Sequence, residues 1–138
     1  DNVVNAGDGN NSVSAGRGDD RVSTGRGNDN VNAGGGDNAI NAGGGNNSVA
    51  AGNGDDTVRA GSGSDRINVG DGDNVVNAGD GNNSVSAGRG DDRVSTGRGN
   101  DNVKVVSRSW WKFAGGALRA GDCWPCQAAR SRVAGWIG

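Results

Sequence analysis

The stretch "AGRGDDRVSTGRGNDNV" at residues 15–31 returns without a change at residues 87–103. Glycine falls at alternate positions, paired Asp or Asn follows it, and only valine is left to bury. From Ala6 the chain divides into nine-residue units, AGDGNNSVS, AGRGDDRVS, TGRGNDNVN, AGGGDNAIN, and eleven complete units run to Lys104 without an insertion. Within each unit, places two and four are always Gly and place six is Asp or Asn. Place eight is Val or Ile in twelve successive instances from Val4 to Val103, and place one is Ala, Thr or Val.

The Gly-x-Gly-Asx-Asx half can take up positive φ and carries side chains able to bond their own backbone, so it reads as a turn. The remaining x-Val-x-Ala alternates with period two and reads as a short strand whose Val and Ala point the same way. Such a strand cannot stand alone. Stacked on its copies at about 4.8 Å, it pairs with them and the valines form an internal column. The composition would also suit a disordered Gly/Asn/Ser linker, but twelve aliphatics held in nine-residue phase argue against that. The expected fold is all-β: a parallel solenoid of about six coils over residues 1–106, with two units to each coil.

A second period of 36 residues lies above the first, with Asp1, Asp37 and Asp73 heading equivalent lines and Asp29, Asp65 and Asp101 in one column. With two units per coil, alternate units share an edge. One edge then carries Asp1, Asp19, Asp20, Asp37, Asp55, Asp56, Asp73, Asp91 and Asp92, while the other carries Asp29, Asp65 and Asp101 among Asn and Ser. Stacked carboxylates repel, and one Val and one Ala per unit give little apolar burial to resist. A hard cation between turns would supply the missing stabilisation, since Ca2+ takes six to eight oxygens from carboxylates and backbone carbonyls. Folding would then be coupled to metal.

The unit resembles the Gly-Gly-x-Gly-x-Asp-x-U-x nonapeptide of RTX (repeats-in-toxin) proteins, over residues 1 to about 105. The resemblance implies a right-handed parallel β-roll, Ca2+ held between consecutive turns on each side, and a bacterial protein secreted by a one-step route. In that family the place-six Asp is the carboxylate ligand, which corresponds here to Asp20, Asp29, Asp56, Asp65, Asp92 and Asp101. The chain departs from the family pattern at place one, where the first Gly is missing. It departs again at place six, which is Asn at residues 2, 11, 38, 47, 74 and 83, so Asp and Asn alternate along both edges. Each inter-coil site would draw one charged and one neutral ligand from place six. On the acidic edge the place-five residues Asp19, Asp37, Asp55, Asp73 and Asp91 could compensate. On the other edge an Asn ladder is expected in place of metal. A purely structural role, in which Asp and Asn satisfy tight turns, stays open.

Composition excludes much else. Among 138 residues there are 29 Gly, one Phe, and no His, Tyr or Met, which removes most acid/base and zinc chemistry. Gly-x-Gly recurring every nine residues is no dinucleotide fingerprint, and no enzyme is expected. Net charge is −2, divided between an acidic body (15 Asp against 9 Lys plus Arg in residues 1–106) and a basic tail (1 against 5). No apolar run approaches a membrane span of about 18 residues, and residue 1 onward shows no signal segment. Since Asp1 enters in mid-unit, the chain reads as a fragment or an engineered sequence.

The tail at 107–138 holds every Trp and both Cys. An aromatic cap of Trp110, Trp111, Phe113 and Leu118 over the last valines is the economical reading; an extension foreign to the array is the alternative. Cys123 and Cys126 have redox-pair spacing but lack the βαβ context. The expected function is a secreted, calcium-dependent folding module, with Ca2+ as cofactor, no nucleic-acid partner, and self-association through the solenoid ends. The alternative is a calcium-independent structural, adhesive or designed solenoid, with ice binding a lesser candidate.

Overall fold

The computed structural model of the chain describes residues 1–107. Each nine-residue unit contributes one strand, centred on its x-Val-x segment and in several units running on into the glycine turn. In chain order these are β1 (Val3–Gly7), β2 (Ser12–Arg17), β3 (Arg21–Thr24), β4 (Asn30–Gly35), β5 (Ala39–Asn41) and β6 (Ser48–Ala50). They continue as β7 (Thr57–Arg59), β8 (Arg66–Gly70), β9 (Val75–Gly79), β10 (Ser84–Gly90), β11 (Arg93–Thr96) and β12 (Asn102–Ser107).

Odd-numbered strands form one parallel six-stranded sheet, in the order β1-β3-β5-β7-β9-β11, and even-numbered strands form a second, β12-β10-β8-β6-β4-β2. The chain therefore changes sheet at every turn and returns to the same sheet after 18 residues, as a β-solenoid of about six turns. Register follows the repeat: Val4 lies beside Val22, Ile40 beside Val58 and Val76 beside Val94 in the first sheet. Val13 lies beside Val31 and Val49 beside Ile67 in the second. The place-eight side chains from Val13 onward are buried, and the place-one residues Ala33, Ala42, Ala51, Ala60, Val69 and Ala78 are sealed between them. The core is this double column and little else.

Every described residue with positive φ is a glycine. At Gly52 the need is double: φ is +97°, and a Cβ there would overlap the carbonyl oxygen of Gly34 in the preceding coil. Place two must therefore be bare for the coils to stack at all.

One local expectation changes. The turn side chains do not chiefly bond their own backbone; their Oδ1 atoms reach the neighbouring coil, 18 residues away. At strand-like spacing between coils, a short Asx side chain lying along the stack meets the next coil's N–H as readily as its own. The tail assignments, from the aromatic cap to Cys123 and Cys126, lie outside the described residues.

Candidate metal centre

Place six sits at the inner corner of each turn, just before the strand, where the chain bends from one sheet to the other. Its side chain lies inside the solenoid: Asp20, Asn38, Asp56, Asn74 and Asp92 are all buried on the acidic edge, as are Asp29, Asn47, Asp65 and Asn83 on the other. On the acidic edge, Asp56 Oδ1 accepts the backbone N–H of Asn38 at 2.9 Å and Asn74 Oδ1 accepts that of Asp56 at 2.9 Å. The same bond joins Asn2 to Asp20, Asp20 to Asn38 and Asn74 to Asp92. On the opposite edge it runs through Asn11, Asp29, Asn47, Asp65, Asn83 and Asp101 at 2.7–3.0 Å. The ladder is present on both edges, where the sequence suggested an Asn ladder on one.

With Oδ1 held alike at every rung, Asp and Asn differ in the second side-chain atom. Asn38 Nδ2 donates to Gly36 O of its own turn at 2.9 Å, to Ala51 O of the next coil at 3.1 Å, and to Asp56 Oδ1 at 3.0 Å. Asn74 Nδ2 likewise donates to Gly72 O at 3.0 Å and Asp92 Oδ1 at 2.9 Å. On the other edge Asn47 Nδ2 reaches Gly45 O at 3.2 Å and Ala60 O at 3.3 Å. The turn thus presents a nest of carbonyl oxygens, and the amide fills it. In the Asp turns the equivalent atom is a carboxylate oxygen. Oδ2 of Asp20, Asp29, Asp56, Asp65 and Asp92 is buried and accepts no hydrogen bond.

An oxygen directed among oxygens is short of a positive partner, and leaving a buried acceptor unmet costs about 1 to 3 kcal/mol. Burial pushes the carboxyls of Asp56, Asp65 and Asp92 above their ordinary range, against the opposing pull of hydrogen bonds from Asn38, Asn47 and Asn74. The donor set consists of carboxylate and carbonyl oxygens, with no nitrogen or sulfur, which suits a hard cation of the Ca2+ kind. Among the described residues no three acidic side chains are grouped so as to hold a metal ion between them. Backbone carbonyls must therefore furnish most of any coordination shell.

The place-five residues stand apart from this interior. Asp19, Asp37, Asp55, Asp73 and Asp91 are exposed. Their ladder runs the opposite way: Asp37 N–H donates to Asp19 Oδ1 at 2.8 Å, Asp55 to Asp37 at 2.8 Å, and Asp73 to Asp55 at 2.7 Å. Asn10, Asn28 and Asn46 take the same role on the other edge. Place three adds acceptors that the sequence reading passed over. Asp8, Asp71 and Asp80 accept the backbone N–H of Arg26, Arg89 and Arg98 at 2.8 Å; the signal was an Asp at place three with another coil 18 residues on.

No curated protein and no solved structure matches the chain. A family described as the RTX calcium-binding nonapeptide repeat (4 copies) matches residues 1–31, 32–67 and 68–103. With the matched turns forming a two-sheet parallel solenoid and its inner corners lined by oxygen, the chain belongs to the RTX calcium-binding nonapeptide-repeat family.

Proposed function

We propose that this chain is a calcium-binding β-roll module of a secreted bacterial protein, a folding and stability element and not a catalyst. The observation that carries the reading is the set of buried, unpartnered Oδ2 atoms at Asp20, Asp29, Asp56, Asp65 and Asp92. Those residues, with carbonyls of the glycine turns, would hold the ion. Bound there, Ca2+ supplies the positive charge that carbonyls lack. The chain's own part is to bring a carboxylate from one turn against the next coil, keep Oδ1 on the backbone, and exclude water by stacking. The acidic edge, with an exposed place-five Asp in every coil, adds a favourable field for cations.

Family membership supports secretion, and the absence of His supports a non-catalytic role. Self-association through the solenoid ends belongs to the same proposal and is read by sedimentation with and without calcium. The central test is circular dichroism and thermal melting in chelator and in millimolar Ca2+. A cooperative gain in β signal or melting temperature is expected. Identical curves in both conditions would end the reading.

A further inference from the structure

We propose that calcium enters only every second step between coils, and that an asparagine amide takes the place of the ion at the steps between. This deepens the calcium reading above and rests on it for the identity of the ion. The two edges are in phase: Asn2 and Asn11 belong to one coil, Asp20 and Asp29 to the next, Asn38 and Asn47 to the third. Whole coils therefore alternate between an Asn type and an Asp type.

On the acidic edge, the nest is full at the step from an Asn coil to an Asp coil. Asn38 Nδ2 spans its own turn carbonyl at Gly36, the next coil's carbonyl at Ala51 and the carboxylate of Asp56, within 2.9–3.1 Å. An amide N–H pair directed at three oxygens from two coils does what a cation would do there, without charge. At the step from an Asp coil to an Asn coil the backbone ladder bond is kept, with Asp56 N–H to Asn74 Oδ1 at 2.9 Å. The cross-coil side-chain bridge is missing, because Oδ2 of Asp56 finds no donor. The same holds at Asp20, Asp29 and Asp65.

The solenoid is thus a series of two-coil, 36-residue units joined by steps that need a cation. Each unit is stapled on the acidic edge by the amide of Asn2, Asn38 or Asn74, and on the other edge Asn47 crosses to Ala60 O while Asn11 and Asn83 fill the nests of their own turns. Calcium acts at the joints between units; within a unit the chain is independent of it. This explains why the sequence period is 36 and not 18: the period of the bonding is two coils.

The test uses the full chain, with Ca2+ alone as probe, counting bound ions by equilibrium dialysis and melting each variant in chelator and in calcium. Asp56→Asn should lose a single ion relative to the parent. In chelator it should melt higher by roughly 4 to 8 °C, as the new amide fills the nest. Asn38→Asp should do the reverse, gaining an ion and melting lower in chelator, with calcium restoring the loss. The assignment is overturned if Asp56→Asn keeps the parent's ion count, or if it melts lower than the parent in chelator. If the parent binds no calcium, the reading under Proposed function falls. The chelator melt of Asp56→Asn then decides the amide's role by itself, a rise supporting it and no rise overturning it.

Discussion

Asn38 and Asp56 are joined twice across one coil step, by the backbone N–H of Asn38 at 2.9 Å and by its Nδ2 at 3.0 Å, both donating to the same carboxylate oxygen, Oδ1 of Asp56. Two donors on Oδ1 favour the charged carboxylate, but burial outweighs them and the net shift is upward.

That balance predicts an unusual pH dependence. Asp56, Asp65 and Asp92 titrate above their ordinary 3.8 in the fold. A raised carboxyl contributes stability that is fully present below the unfolded value and is lost as pH rises through the folded one. The metal-free chain should therefore gain stability as it is acidified from neutral toward 3.8, while its calcium affinity falls over the same window. Urea midpoints in chelator across this range check it; a midpoint that drops steadily with acid would refute it. In Asp56→Asn/Asp65→Asn/Asp92→Asn the acid gain should shrink.

The exposed Asp column makes a second prediction, separable from the first. Asp37 carries a charge between Asp19 and Asp55, and its Oδ1 holds the Asp55 N–H at 2.8 Å. Asp37→Asn keeps the acceptor and drops the charge, so it should stabilise the fold at low salt and do little at high salt. Asp37→Ala loses the bond as well and should cost about 0.5 to 1.5 kcal/mol at high salt. Denaturant melts at two ionic strengths separate the terms, and equal behaviour of the two variants would show that the ladder bond contributes nothing.

Stacking demands at place two can be measured apart from backbone strain. Gly16 and Gly52 both have positive φ, +107° and +97°, but a Cβ at Gly16 meets nothing within 4 Å whereas one at Gly52 would strike Gly34 O. Gly16→Ala should cost about 1 to 3 kcal/mol from conformation alone. Gly52→Ala should cost clearly more and disrupt the coils on either side, seen as lost amide protection there by hydrogen exchange.

Within so thin a core, position on the strand should matter more than residue type. Val58 is 1% exposed between Ile40 and Val76, while Val75, one place before the column, is 44% exposed. Val58→Ala should cost about 2 kcal/mol, and Val75→Ala should be close to neutral. Thermal melts of the two variants in calcium give the comparison.

The architecture was legible because burial in a solenoid is periodic. Twelve aliphatics at place eight fix which side of each strand faces in, and a turn per unit forces alternation between two sheets. The partners of the Asx side chains were not legible. A bond from Asp56 to the N–H of Asn38 spans 18 residues, and in the sequence it looks the same as an Asp bonded within its own turn. The consequence of alternation was also hidden: Asp beside Asn reads as one charged and one neutral ligand. Only the orientation of Nδ2 and Oδ2 shows that one step is satisfied and the next is not.

The alternation of coil types also sets how such a gene can lengthen or shorten. Loss of nine residues would exchange the two edges downstream and break the outer Asp column. Loss of a coil, such as residues 33–50, would set Asp20 directly against Asp56 and Asp29 against Asp65, carboxylate on carboxylate. Only gains or losses of 36 residues leave every junction as it was. On that basis repeat number should change in blocks of 36, and residues 1–31 are identical with residues 73–103, two such blocks apart.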